Sequence, residues 1–452
     1  MIARIICLLL ALSAASSAED GRAALERGLE LLRRQHYQEA LDALETAKRT
    51  LPSQAQVYNL LGITLTKLGR IPEANKDFRK AVELNPKLAD PHKNLGFNYW
   101  TSGQEAEAEQ SFQAALKLNP TDEFAHYGLG TVYLRQGRAA DAIAHLERAR
   151  SLVDREQQVS LGLGRAYLAS RQFPKAVELL ESVTHQRPTD ADAAALLALA
   201  YESSGNLPRA LENYDRAVRL DPGNQDRYLD YTRLLLDLDR FDDSIKAVRE
   251  GLQKAQDSYA LHLRLGATEL MKGNPEKAEG SFREAIAMHP EVPLGYIALA
   301  KVFMKSGRGP EAVAVLEEAR GKLAADFLLE YFYGLALERL DRDSQAAEAF
   351  SRSSELSPAV PEAHFHSGKL LFKLGRTEDA RAELQRAIEL DPKHLGAHFQ
   401  LSRVYAKLGD ASNAKKFAAR AADLRKHQVE LSQQKQNTLM PGPVEKHAPA
   451  RE

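Results

Sequence analysis

Residues 67–86 read KLGRIPEANKDFRKAVELNP, and residues 373–392 read KLGRTEDARAELQRAIELDP. The two stretches lie 306 residues apart, which is nine times 34. The period holds along the chain: set in rows from Gly21, the sequence falls into twelve units of 34 residues ending at Gln428, with no insertion or deletion. This feature constrains the fold most, because a chain of equal units must solve one packing problem over and over.

Each unit reads as two helices. In the second unit Tyr58, Leu61, Leu65 and Leu68 recur at helical spacing, and Phe78, Ala81 and Val82 do so after a break. The break falls at position fifteen of the unit, where Gly69, Gly103, Gly137, Gly205, Gly273, Gly307, Gly375 and Gly409 stand. Position eight is small, as at Gly28, Gly62, Gly96 and Gly130, and position twenty is Ala in every unit except the one holding Ser244. Small residues at these positions let paired helices approach closely. Position thirty-two is Pro in eight units, from Pro52 to Pro392, and ends the second helix for want of an amide donor.

The order Leu95-Gly96, Tyr99, Ala108, Phe112, Ala115 and Pro120 in the third unit resembles the tetratricopeptide repeat, and the resemblance covers residues 21–428. It implies an all-α chain forming a right-handed α-α superhelix, a solenoid of tandem helix-turn-helix units whose first helices line a concave groove. One unit cannot fold alone. Stacking on neighbours supplies the missing burial and leaves the ends needing polar caps.

Either side of the array the composition changes. Residues 1–18, MIARIICLLLALSAASSA, carry Arg4, an apolar run Ile5–Leu12 and small residues Ser16 and Ala18, the layout of a secretory signal peptide. An exported chain, periplasmic or secreted, is the expectation, with an uncleaved anchor or a buried N-terminal helix as the other readings. Apart from that segment no stretch suggests a membrane span in the mature chain. Cys7 is the sole cysteine and lies within it, so the mature chain has no disulfide, no thiolate-bound zinc and no cysteine nucleophile. At the other end, LRKHQVELSQQKQ can extend the last helix as a cap, and the remainder to Glu452 reads as a disordered tail.

The 61 Lys and Arg against 62 Asp and Glu leave a net charge of −1, so nothing drives the whole chain toward nucleic acid or anionic lipid. Recognition has to be local. Positions two, five, nine, twelve and thirteen share one face of the first helix, since steps of three and four return to the same side. In units nine to twelve these positions hold seven basic residues, Lys301, Lys305, Arg339, Lys369, Lys373, Arg403 and Lys407, against Glu338 and Glu362. With Tyr331, Phe365, Phe372 and Phe399 between them, the face suits an extended peptide carrying acidic and apolar side chains. Solvation of an exposed helix by long basic side chains is the alternative. A second candidate is aromatic: Phe97, Trp100 and Tyr127, with Phe124, in units three and four. It reads either as a binding hot spot or as packing between repeats.

Unit seven, 225–258, departs from the pattern at Thr232, Ser244 and Gly251, lacks the proline, and holds Asp226, Asp230, Asp237, Asp239, Asp242 and Asp243. A softer joint with an acidic floor and a set of compensating shape changes are both open readings. The carboxylate clamp of chaperone-binding members of the family needs more than Lys93, because Phe97 and Gly128 occupy the other clamp positions. The asparagine ladder of sugar-transferase members has only Asn94.

Histidines recur at position four as His92, His126, His262, His364 and His398. Equivalent residues of stacked helices sit about 10 Å apart, too far to share one zinc ion at about 2 Å, so these fill the space of the aromatic expected there. No phosphate loop, nucleophile elbow or HExxH motif occurs, and no cofactor or catalysis is expected. The expected function is a non-catalytic scaffold of the cell envelope that holds a protein or peptide. The alternatives are a regulatory or substrate-presenting subunit of an enzyme or assembly complex and, against the charge balance, a nucleic-acid-binding repeat.

Overall fold

A computed structural model describes residues 19–152, 156–255 and 258–439. Residues 1–18, where a signal peptide is expected, with Cys7, and residues 440–452, within the expected tail, lie outside the described residues. The described chain is all-α, with 24 helices in tandem pairs. First helices begin at position one of the unit, at Ala55, Ala89, Glu123, Ala191, Gln225, Tyr259, Pro293, Phe327, Pro361 and Leu395. The first repeat pairs a helix over 19–33 with Tyr37–Thr50. The last helix runs from Ala411 to Leu439, carrying the extension through LRKHQVELSQQKQ.

Every repeat turns between its helices through a residue with positive φ at position fifteen. Eight are the glycines, such as Gly69 at +76°, and four are not: Gln35, Arg171, Asp239 and Asp341, at φ between +56° and +63°. The following amide then reaches back five residues, as Arg70 N does to Leu65 O at 2.9 Å and Gln172 N to Tyr167 O at 2.8 Å. The turn geometry therefore survives the loss of glycine, with the four L-residues held in a costly region.

Position eight is small because position twenty-four packs onto it. A Cβ on Gly62 would meet the Phe78 ring at 2.5 Å, and one on Gly96 the Phe112 ring at 2.7 Å. In other repeats the partner is Leu44, Leu146, Leu180 or Leu384. Where position eight carries a larger side chain, as at Thr232 and Ser402, position twenty-four shrinks to Val248 and Ala418. Repeat seven makes further adjustments: Thr232 Oγ1 donates to Tyr228 O at 2.6 Å, and Gly251 leaves room for Tyr228 and Leu261, which a Cβ would meet at 2.9 Å.

Where position four is Tyr or His, it can close the turn between repeats onto position thirty-two of the repeat before. Tyr58 Oη donates to Pro52 O at 3.0 Å and Tyr296 Oη to Pro290 O at 3.3 Å. The Nε2 atoms of His126, His364 and His398 take the same place on Pro120, Pro358 and Pro392, at 3.1–3.3 Å. These three of the five recurring histidines thus stand in for tyrosine as turn-closing donors.

The chain divides into two compact units, one ending at Asp221 and the other starting at Pro222. In each, a first helix packs on its own second helix and on the second helix of the repeat before it. First helices also touch along the stack, as Ala55–Lys67 does Ala89–Thr101 and Pro361–Lys373 does Leu395–Lys407. Among the described residues no contact of that extent joins consecutive second helices, so the first helices form the inner wall of each unit. No helix among the described residues is long and apolar enough to cross a membrane.

Candidate functional site

The inner wall of repeats nine to twelve is built on four first helices, Pro293–Lys305, Phe327–Glu338, Pro361–Lys373 and Leu395–Lys407. Lys301, Lys305, Arg339, Lys373, Arg403 and Lys407 are exposed, and Lys369 is half-buried. Their partners separate them.

Lys305 Nζ donates to Leu270 O at 3.4 Å, and Arg339 Nη1 to Met304 O at 2.7 Å. Both carbonyls lie in the last turn of the first helix one repeat earlier, where they hold only long turn bonds, from Gly273 N at 3.3 Å and Gly307 N at 3.4 Å, in place of the regular helical donor. Arg135 does the same to Trp100 O at 3.2 Å in the other unit. A basic side chain at position thirteen is therefore also a helix-end partner, favoured by the negative end of the helix dipole. Lys373 instead pairs with Asp343 at 2.7 Å and lies 3.6 Å from Asp341. Lys407 makes no ion pair among the described residues.

Lys369 pairs with Glu338, whose other oxygen lies 3.0 Å from His366 Nδ1. Burial pushes the Glu338 carboxyl up, but hydrogen bonds and charge from His366 and Lys369 outweigh it and bring it down to about 2. Lys301 sits 5.6 Å from the Phe332 ring, and the Arg403 guanidinium 5.4 Å from Phe372. Ion pairs thus neutralise Lys369 and Lys373. Lys305 and Arg339 keep their charge but are tied to helix ends, which leaves Lys301, Arg403 and Lys407 as the cations held, among the described residues, by neither an ion pair nor a helix-end carbonyl.

The aromatic residues divide likewise. Tyr331 stands edge-on to Phe350 and packs on the core of repeats nine and ten. Phe365 lies 4.6 Å from the His394 ring. Phe399 is 53% exposed. Two further residues of the face, Ile297 and Met304, are buried in that core, so its apolar side reaches onto the inner wall.

In repeats three and four, Phe97 meets the buried Phe112 edge-on at 5.0 Å. Arg135 lies 5.2 Å from the Trp100 ring centroid, and Trp100 Nε1 is buried with no protein acceptor. Tyr127 is half-buried, its hydroxyl pushed up by burial, while Phe124 is exposed. These rings belong to separate local contacts as much as to one patch. Lys93, the residue that matches the chaperone clamp, is held by Asp122 at 2.9 Å and Asp90 at 3.0 Å. In repeat seven Asp243 pairs with Arg240, Asp237 with Arg233 and Asp242 with Lys272, which neutralises much of the acidic run.

The partner role of position thirteen is absent from a reading of one helix at a time. Its signal is a spacing of 35 residues between a basic side chain and the helix end it caps. Among the described residues no group of three or more His, Cys, Asp or Glu is placed to hold a metal ion.

Comparison with known proteins agrees with this architecture. Tetratricopeptide-repeat family models match residues 25–89, 94–155, 133–200, 202–267, 297–361, 368–409 and 395–428. The Hsp70-Hsp90 organizing protein of Triticum aestivum is 41% identical over 61 residues, 14% of this chain and 10% of that protein's length. Among solved structures, yeast Tom70 is 18% identical, with 94% of this chain and 97% of that one aligned at a TM-score of 0.44. YrrB, a repeat protein with an unusual peptide-binding site, is 24% identical over 44% of this chain and 99% of its own, with a TM-score of 0.39. The chain belongs to the tetratricopeptide-repeat proteins, whose architecture serves protein–protein interaction.

Proposed function

We propose that this chain is a non-catalytic scaffold of the cell envelope that holds an extended peptide, or an extended segment of a protein, along the inner wall of repeats nine to twelve. One observation carries the reading. Half of the exposed large apolar side chains among the described residues stand at inner-wall positions: Leu294 at 50%, Leu328 at 41% and Phe399 at 53% in these repeats, with Phe124, Leu199 and Met271 earlier in the array. In repeats nine to twelve they share the face that carries the cations, and an exposed apolar row on one face marks a contact surface. Lys301, Arg403 and Lys407 beside it favour acidic side chains in the occupant. The envelope location rests on Arg4, the apolar run Ile5–Leu12 and Ala18.

An array of immobilised twelve-residue peptides, varied independently in acidic and apolar content, tests the reading. Selective capture of acidic-apolar peptides by the full chain, weakened about tenfold by Phe399→Ala with Lys407→Glu, agrees with loss of one apolar anchor and one charge contact. Equal capture by the double variant, or preference for basic peptides, contradicts it.

A further inference from the structure

Repeat ten breaks the rule by which its neighbours close their turns. Position four is Glu330, an acceptor where Tyr296, His364 and His398 donate in the repeats around it, and Ala324 replaces the proline whose carbonyl would receive the bond. The turn itself differs. In most other repeats the amide of position thirty-four donates to the carbonyl of position thirty-one, as Leu88 does to Asn85 at 3.1 Å, Asp122 to Asn119 at 3.2 Å and His394 to Asp391 at 3.0 Å. Ahead of repeat ten that bond is missing among the described residues, and Leu323 leaves its helix extended, at φ −105° and ψ 159°.

The opened turn leaves a cavity of about 480 Å³, within the range of small-ligand sites. Glu317, Arg320, Leu329, Glu330, Tyr333 and Arg352 line it, with the turn residues Leu323–Asp326. Glu330 is nine-tenths buried. Its Oε1 accepts from Arg320 Nε at 2.9 Å, while Oε2 is buried with no protein donor. Arg320, Tyr333 and Glu317 are committed to one another: the Arg320 guanidinium lies 4.1 Å over the Tyr333 ring, and Tyr333 Oη donates to Glu317 at 2.9 Å. Arg352 makes no ion pair among the described residues. Asp326 caps the next helix through Leu329 N at 2.9 Å.

A buried carboxylate oxygen without a donor is costly and calls for one. The helix Gly309–Lys322 ends at this cavity and the helix Phe327–Glu338 begins at it, so their dipole ends offset one another and the choice of ligand rests on Oε2. An anion cannot supply the donor that Oε2 lacks. A metal ion is disfavoured as well, because the carboxylates do not converge on one point. A compact cation with several rotatable donors and an apolar stem satisfies Oε2 and fits against Leu323, Ala324 and Leu329.

We propose that the cavity between repeats nine and ten binds a primary alkylammonium group, with Glu330 Oε2 as its acceptor. A lysine side chain of a protein and a free polyamine present the same chemistry. Position four is off the inner wall, so this site is independent of the peptide face.

Titration of the full chain, methyl-labelled at leucine, with n-butylammonium chloride tests the proposal by NMR. Saturable shifts at Leu323 and Leu329 are expected, with affinity at least tenfold weaker in Glu330→Gln. Glu330→Tyr restores the donor of other repeats toward the Ala324 carbonyl; it should stay folded and lose the response, which separates binding from folding. Shifts reproduced by equal sodium chloride, absent shifts, or shifts unchanged in both variants overturn the proposal. Spermidine and a capped Gly-Lys-Gly peptide then distinguish the source: whichever saturates at lower concentration identifies it, and saturation by neither also overturns the proposal.

Discussion

The Arg339 guanidinium donates to the main-chain carbonyl of Met304 at 2.7 Å, joining the inner wall of one repeat to the end of the first helix one repeat earlier. A residue that reads as a free groove cation is thereby part of the stack. Arg339→Ala is expected to destabilise its unit by about 0.5–1 kcal/mol, the usual worth of a cation at a helix C-terminus. Lys407→Ala, at the same position without an ion-pair partner, should leave stability unchanged. Chemical denaturation followed by circular dichroism reads both.

Lys373 behaves differently again. Lys373→Glu would set a carboxylate against Asp343 and Asp341, so stability should fall along with any loss of partner capture. Lys301→Glu with Lys407→Glu reverses two charges that make no ion pair, and should weaken capture at unchanged melting temperature. Thermal melts run beside the binding assay separate the two cases.

Glu338 gives a pH signature. Its folded carboxyl titrates near 2, below its ordinary value of 4.5. The linked stability is therefore fully present above about pH 4.5, declines as pH falls, and is lost once pH passes below about 2. With the group mostly buried, its size is on the order of 2–3 kcal/mol. Denaturation of Glu338→Gln between pH 7 and pH 3 should show a correspondingly flatter acid limb than the native chain.

Two backbone positions test the repeat geometry with opposite signs. Arg171 occupies φ +59°, so Arg171→Gly should stabilise by about 0.5–1 kcal/mol, the left-handed penalty less the added freedom of the unfolded chain. Gly62→Ala puts a Cβ 2.5 Å from the Phe78 ring and should destabilise by about 1–3 kcal/mol. Equilibrium denaturation of the two variants checks both signs.

The repeat architecture was legible because its rules are local and recur. Position one, the turn at position fifteen and the small residue at position eight all appear where the 34-residue period puts them. The equivalence of His364 and Tyr296 at position four required the structure, since it depends on a carbonyl six residues back. The candidate face was less legible. Ile297 and Met304 share its spacing yet are buried, because tyrosine and leucine side chains of the next repeat, such as Tyr331 and Leu335, extend the core over them. Lys305, Arg339 and Lys373 have partners one repeat away, and a pattern read along one helix contains no term for that contact. Repeat seven shows the reverse: its odd residues at Thr232 and Gly251 make sense once Val248, Tyr228 and Leu261 are seen beside them.

Site-specific photo-crosslinking in the producing cell tests the central claim most directly. Benzoylphenylalanine placed singly at Leu328 and Phe399 on the inner wall is compared with the same probe at Leu118 and Leu356, exposed at the ends of second helices. The account predicts protein adducts from the inner pair, reduced by Lys407→Glu, and background yield from the outer pair. Equal adducts from the outer pair, or none from the inner pair, would contradict it.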